Sequence, residues 1–267
     1  MPQFGLIEHP TYVKQRIKEI ARSIRSQASQ EQRLRFDPYH CAFSLGLNIT
    51  EANLPKGMSG RLRLDSEKPE IVLQRTDSRV RKRYTVCHEM AHLSFIESTP
   101  SLPRERGEIE LIPEVERREE RLCDMIAAEL LMPESVFIKQ AASIPASYDS
   151  LILLAKDFEV SIAAALIRIR NMHLWSVGVM HCQFDEKESI VRRLFTWVSI
   201  CRKVRSREQR MRLSYEFEGA LEASRKFIQK NPLSITTGKR LKFNDFVIHL
   251  LSSNSNRKIK AVAFRQL

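Results

Sequence analysis

The chain has 267 residues, of which 43% are hydrophobic and 28% charged, as is ordinary for a globular protein of one large or a few smaller domains. No apolar run reaches the roughly 18 residues of a transmembrane helix, and the N-terminus lacks the basic and apolar regions of a secretory signal. Five scattered cysteines without a CxxC pair argue against a disulfide framework and a zinc knuckle. We therefore expect a cytoplasmic protein that does not bind membranes.

The net charge of +12 is distributed unevenly along the chain. Residues 1–187 contain 26 basic and 26 acidic side chains, whereas residues 188–267 contain 18 basic and 6 acidic ones. Such an asymmetry indicates either a polyanionic or acidic partner for the C-terminal part, or simply a well-solvated basic face.

The first 75 residues predict two helices and a small sheet. Apolar side chains recur at helical spacing in residues 11–27, with Thr11 as N-cap, and a second helix is expected over residues 39–47. Residues 61–65 and 69–75 contain the short alternating or clustered apolar runs that are typical of strands.

Two histidines and a glutamate interrupt the apolar stretch YTVCHEMAHLSF, residues 84–95. His88 and His92 are four residues apart, so in a helix they project from one face, close enough to bind one metal ion. Glu89 lies beside them as a carboxylate that can accept a proton from attacking water. This H-E-x-x-H pattern is typical of zinc peptidases, although it also occurs by chance.

A second helix is predicted from residue 113 to Pro133, after a loop over residues 98–113. Glu120 and Asp124 lie on one face of that helix, so Glu120 is our predicted third metal ligand. Asp124 is the carboxylate predicted to hydrogen-bond a ligand imidazole. Three other glutamates are conceivable ligands: Glu97, Glu116 and Glu119. Glu97 and Glu119 lack a carboxylate four residues further on, and the one four residues after Glu116 is Glu120 itself.

The alternative interpretation is that the two histidines are hydrogen-bonded residues of an ordinary core. Under this interpretation Glu89 would lie unpaired among Val86, Met90 and Leu93, which would cost several kcal/mol or shift its pKa strongly. A bound metal removes that cost, so we favour the metal site. The neighbouring Cys87 and Cys123 are interpreted as small buried apolar residues.

The two stretches RKRYTVCHEMAHLSF and EERLCDMIAAELLMP together resemble the ImmA/IrrE family of metallo-endopeptidases. That family has the pattern R-[FY]-T-x-x-H-E-x-x-H followed by E-x-x-x-[ND]-x-x-A-A-x-L-L-M-P. The similarity extends from residue 71 to about residue 175. Cys123 replaces the usual alanine and Ala91 a common glycine, and neither change removes a ligand.

The resemblance implies a zincin-like fold, one zinc ion per chain held by His88, His92 and Glu120, and Glu89 as the catalytic carboxylate. It also implies limited cleavage of a helix-turn-helix transcriptional repressor, which switches on stress or mobile-element genes.

Residues 151–172 have the apolar spacing of helix, turn and helix, with Ser161 as N-cap of the second helix. A helix that reads the major groove needs several donors near its N-terminal end, where this one has Ala163 and Ala164. We therefore favour a packing or partner-docking role over direct DNA reading.

Strand-like segments and one long helix follow from Trp175 onward, over residues 175–184, 189–200 and 215–229. The predicted class is α+β. We divide the chain into a zincin-like, mainly helical protease domain (1–145), a helix-turn-helix-like segment (146–174) and a basic α+β domain (175–267) that senses a signal or docks a partner. Three basic residues are candidates for docking: Arg202, Lys203 and Arg205.

Two functions remain open at this point. The first is a zinc endopeptidase, in which the residue that stabilises the oxyanion is not identified; the conceivable side chains are Tyr84, Tyr148, His173 and His181. The second is a non-catalytic regulator that binds DNA through residues 151–172 and the basic C-terminal region. Zinc content discriminates between them.

Overall fold

The computed structural model describes residues 10–28, 35–64, 68–98, 113–185, 190–230, 239–253 and 258–265. Within these ranges the chain is α+β and forms eight helices and two sheets. It divides into two compact units: the first comprises residues 1–137 and 155–164, and the second comprises residues 138–154 and 165–267. The predicted three-part division at residues 145 and 174 stays a prediction.

The first unit begins with two helices and a three-stranded sheet, followed by two long helices. Its elements are α1 (Pro10–Gln27), α2 (Pro38–Ser44), β1 (Asn48–Ala52), β2 (Gly60–Arg63), β3 (Glu70–Gln74), α3 (Arg79–Ser98) and α4 (Pro113–Leu131). The next three helices each cross a boundary between the units: α5 (Glu134–Ala142), α6 (Tyr148–Asp157) and α7 (Ile162–Met172).

The predicted helices over residues 11–27, 39–47 and 113–133 agree closely with α1, α2 and α4, although Thr11, the predicted N-cap, lies inside α1. Helix α5 and strand β1 were not predicted. Asp37 caps α2 by accepting hydrogen bonds from the backbone N–H groups of Tyr39 and His40. The helix ends before Gly46, whose φ of 75° favours glycine. Strand β1 follows directly, and most of its side chains are exposed, so it lacks the apolar alternation that signals a strand.

Strand β3 is the central strand of the small sheet and packs against α3. It pairs in parallel with β1 and antiparallel with β2. Its three middle residues, Ile71, Val72 and Leu73, are buried. Helix α3 packs against both β2 and β3, and its other side packs against α4. The sheet therefore fixes the position of α3.

A buried arginine also holds α3 in place. Arg83 is only 3% exposed; its guanidinium donates to the backbone carbonyls of Phe36 and Glu159 and forms an ion pair with the Glu159 carboxylate at 3.3 Å. Arg79, one turn earlier on α3, binds the other carboxylate oxygen at 3.0 Å. A buried charge is tolerable only with such partners, so these contacts fix the N-terminal half of α3.

The second unit contains a five-stranded antiparallel sheet in the order β5-β4-β8-β7-β6. Its elements are β4 (Val177–Asp185), β5 (Ile190–Ser199), α8 (Arg207–Lys230), β6 (Lys239–Phe243), β7 (Phe246–Ser253) and β8 (Lys258–Arg265). Helix α8 packs on one face of this sheet, where Phe217 and Leu221 lie close to Gly178. A Cβ atom at position 178 would lie 3.0 Å from the side chain of Phe217 and 3.1 Å from that of Leu221. The sequence pattern located β4, β5 and α8, but α8 begins two turns before residue 215, and strands β6, β7 and β8 were not predicted.

Helices α6 and α7 are separated by a short turn at the position that the sequence predicts. Val160 in the turn is buried, and the hydroxyl of Ser161 accepts a hydrogen bond from the N–H of Ala164 at 3.1 Å, as expected of an N-cap. In the second unit, the guanidinium of Arg170 on α7 lies 4.9 Å from the ring centre of Trp197.

No helix among the described residues combines the length and the apolar character that crossing a bilayer requires.

Gly60→Ala should destabilise the first unit. A methyl group at Gly60 would overlap Cγ2 of Thr85 on α3 and lie 3.2 Å from the carbonyl oxygen of Val72. We expect a loss of about 1–3 kcal/mol in the free energy of unfolding, the usual cost of overpacking. Urea unfolding of the variant measures it.

Thr85→Ser provides the matched test, because it removes Cγ2 and keeps the hydroxyl that donates to the carbonyl of Arg81. The double variant Gly60→Ala/Thr85→Ser should regain most of the lost stability. A double variant no more stable than Gly60→Ala would show that this contact is not the cause.

Candidate metal centre

Helix α3 carries the three residues of the H-E-x-x-H motif among buried neighbours. The flanking Val86, Cys87, Met90 and Ala91 are buried in the core of the first unit. The helix is regular from Arg79 to Ser98, so the two histidines project from one face as their spacing requires. Their Nε2 atoms lie 3.2 Å apart.

Helix α4 places Glu120 opposite the two histidines. One of its carboxylate oxygens lies 3.0 Å from Nε2 of His88 and the other 3.5 Å from Nε2 of His92. Each of these three residues offers one donor atom, and the three donor atoms lie within 4.8 Å of one another. The structure thus brings together the three predicted ligands, which come from two different helices.

Two further carboxylates of α4 contact the outward nitrogens of the imidazoles. Asp124 lies 3.0 Å from Nδ1 of His88, as the sequence analysis expects, and Glu119 lies 2.8 Å from Nδ1 of His92. The sequence pattern favours Glu120 over Glu119 as a metal ligand and does not predict the contact between Glu119 and His92. No spacing rule assigns Glu119 to His92, since it precedes Glu120 by one residue on the same helix.

The charges around His88 favour its protonated form. Burial alone lowers the pKa of His88, but the hydrogen bond to Asp124 and the negative charges of Glu89, Glu120 and Asp124 outweigh burial, so that its pKa is raised. The hydrogen bond from His88 is also the main reason that the pKa of Asp124 is lowered. This surplus of negative charge is the electrostatic environment that a cation would neutralise.

Glu89 lies close enough to His88 for its negative charge to raise the pKa of that imidazole. It is 6% exposed, whereas most glutamates in proteins are solvated. Its position directly after His88 places it beside the three donors without being one of them. Such a carboxylate can exchange a proton with a molecule held between α3 and α4.

Tyr84 contacts Asp124, the outer carboxylate of His88. Its hydroxyl donates to Oδ1 of Asp124 at 2.6 Å, the same oxygen that contacts His88. Tyr84 therefore supports Asp124. The other three residues named for the oxyanion, Tyr148, His173 and His181, belong to the second unit. The side chains of Glu97 and Glu116 lie outside the described residues.

Cys123 forms part of a second set of donors on α4. Its Sγ lies 3.4 Å from Nδ1 of His92, and His92, Glu119 and Cys123 also offer three atoms within 4.8 Å. Burial and the nearby carboxylates, Glu119 first among them, raise the pKa of the Cys123 thiol. Both Cys87 and Cys123 are fully buried, which agrees with a packing role.

The residues present fit a divalent metal ion. Two imidazole nitrogens and one carboxylate are the donor set of many catalytic zinc sites, and they leave a fourth position free for water or substrate. Each imidazole also has a carboxylate at its outer nitrogen, the usual support of a metal-binding histidine.

The three residues named for docking lie between β5 and α8. Arg202, Lys203 and Arg205 are exposed in the turn that precedes α8. The turn is held by Arg210, whose guanidinium donates to the carbonyls of Cys201 and Val204. All of these residues belong to the second unit, and the motif residues belong to the first.

Comparison with known proteins identifies the segment that contains the motif. Residues 42–170 match the family model of the IrrE N-terminal-like domain, peptidase M78. No curated protein matches the chain. A solved structure of a Mycobacterium tuberculosis transcriptional regulator superimposes with a TM-score of 0.55 at 9% identity, covering 94% of this chain and 76% of that chain, which shows a shared fold alone. Residues 42–170 thus match the peptidase M78 family of IrrE N-terminal-like domains, as the resemblance of the two motifs to the ImmA/IrrE family predicts.

Proposed function

We propose that this protein is a cytoplasmic, zinc-dependent endopeptidase with a zincin-like catalytic unit that cuts a helix-turn-helix transcriptional repressor at one site. The observation that carries the proposal is the convergence of His88, His92 and Glu120 beside a buried Glu89, within a domain of a peptidase family. Cutting the repressor would switch on the stress or mobile-element genes that it silences.

When bound, zinc supplies Lewis acidity that polarises the scissile carbonyl and makes a water molecule more acidic. Glu89 accepts the proton of the attacking water and delivers it to the leaving amine. Its burial keeps bulk water from competing for that proton. Asp124 and Glu119 hold the rings of the two histidines from outside.

Glu89→Gln should abolish cleavage while zinc stays bound. The amide keeps nearly the shape of the carboxylate but cannot accept the proton, and general-base catalysis is commonly worth about 10²–10⁴ in rate. The measurements are kcat/KM on a candidate repressor and the zinc content of the purified variant. Cleavage by Glu89→Gln at the unaltered rate would contradict the mechanism.

Specificity for one substrate should come from docking as well as from the cleft. A protease in the cytoplasm endangers its own cell unless cleavage is restricted, and a docking surface outside the cleft restricts it. The second unit provides a basic surface at Arg202, Lys203 and Arg205, where all three side chains are exposed. An acidic patch of the repressor is the complementary partner.

Reversal of these three charges to glutamate should lower kcat/KM for the repressor by about tenfold at low salt, because electrostatic attraction speeds encounter. The matched control reverses Arg22, Lys56 and Lys139, which are likewise exposed, and it changes the net charge by the same amount. Salt near 1 M should remove the difference, since it shortens the Debye length to about 3 Å. Docking would be contradicted if both triple variants cleaved the repressor at the same rate at low salt and if the protein cleaved casein as fast as the repressor.

A second candidate function is a DNA-binding regulator without catalysis. The net charge of +12 and the two helices over residues 151–172 favour it. Against it, α7 begins with Ile162, Ala163 and Ala164, which offer no donor to base edges. This function predicts salt-sensitive duplex binding that persists in a His88→Ala/His92→Ala variant, and a purified protein without metal. One zinc per chain that is lost in this variant favours the peptidase.

A further inference from the structure

We propose that Glu119 is the positioning residue of His92: its carboxylate accepts the Nδ1–H of the imidazole and thereby presents Nε2 to the metal. Oε1 of Glu119 lies 2.8 Å from Nδ1, and Nε2 on the opposite side of the ring lies 3.2 Å from Nε2 of His88. The proposal rests on the proposed function, because that function assigns the metal to His88, His92 and Glu120.

The two halves of the site are built alike. His88 also turns Nδ1 towards a carboxylate, that of Asp124 at 3.0 Å, and Nε2 towards Glu120, likewise at 3.0 Å. A neutral imidazole carries its proton on one nitrogen only, so the carboxylate that takes this proton decides which nitrogen is free to bind metal. Helix α4 thus supplies one ligand and two ring-orienting groups.

Glu119 should matter more than Asp124 for the orientation of its histidine. The His92 side chain is 3% exposed and that of Glu119 29%, compared with 15% for His88 and 55% for Asp124. Water competes less with a hydrogen bond that is more deeply buried. If Asp124 is weakened, water can replace it at His88, whereas the surroundings of His92 offer less access to water.

One other role for Glu119 must be separated from this one. His92, Glu119 and Cys123 form the alternative set of donors, in which a metal would sit on Nδ1. The two roles exclude each other for a neutral ring, because Nδ1 cannot carry a proton and a metal ion together. The nitrogen of His92 that binds zinc therefore decides between them.

Nitrogen-15 spectra of the histidine side chains in the full-length protein provide that test. In the metal-free protein we expect His92 to carry its proton on Nδ1, and in the zinc-loaded protein we expect zinc on Nε2. Glu119→Met keeps similar bulk without an acceptor and should shift the metal-free ring towards the Nε2–H form. Glu119→Gln keeps an acceptor oxygen and should largely retain the Nδ1–H form.

Zinc affinity, measured by competition with a chromophoric chelator, should fall roughly ten- to hundredfold in Glu119→Met and less in Glu119→Gln. Zinc affinity should fall less in Asp124→Leu, which likewise removes the acceptor, than in Glu119→Met, and it should not change in Arg121→Gln, a variant at an exposed residue of the same helix. Zinc on Nδ1 in the native protein would overturn the proposal, as would a native proton position and native affinity in Glu119→Met. The metal-free spectra test Glu119 even if the protein cleaves no repressor, so its failure and that of the proposed function remain distinguishable.

Discussion

The structure of the first unit depends on the cost of burying charged and polar side chains between α3 and α4. Two imidazoles and the carboxylate of Glu89 lie in a helix whose flanking residues belong to the apolar core, where polar groups without partners would be costly. Helix α4 lowers that cost, because its carboxylates reach both rings. A cation between the rings would neutralise part of the remaining negative charge. The need of the buried imidazoles for polar partners explains why the motif on α3 occurs together with the carboxylates on α4.

Other contacts in the first unit fix the positions of α3 and α4. Strands β2 and β3 support α3 from below, and Gly60 permits the close approach of β2 to Thr85. Arg83 ties α3 to Glu159 and to the chain before α2, while the buried Arg25 of α1 donates to the carbonyl of Leu130 at the end of α4. A metal site tolerates little displacement of its ligands, so distant contacts of this kind contribute to function through geometry.

The sequence predicts features of the site that depend on local spacing. His88 and His92 had to share a face because they are four residues apart in a helix, and the pair of Glu120 and Asp124 follows from the same rule. Glu119 could not be assigned in this way. Whether it or a neighbour reaches His92 depends on how α4 is rotated about its axis, and that rotation is set by packing against α1 and α3. Strand β1 was missed for a related reason, since it is recognised by its pairing with β3 and not by its own side chains.

X-ray absorption at the zinc edge of the purified, zinc-loaded protein tests the central claim most directly, because it reports the atoms that surround the metal. We predict one zinc per chain with only nitrogen and oxygen neighbours, at about 2.0–2.2 Å, from two histidines, one carboxylate and solvent. Sulfur scattering at about 2.3 Å would place the metal on Cys123 instead, and a protein that retains no zinc would contradict the metal centre altogether.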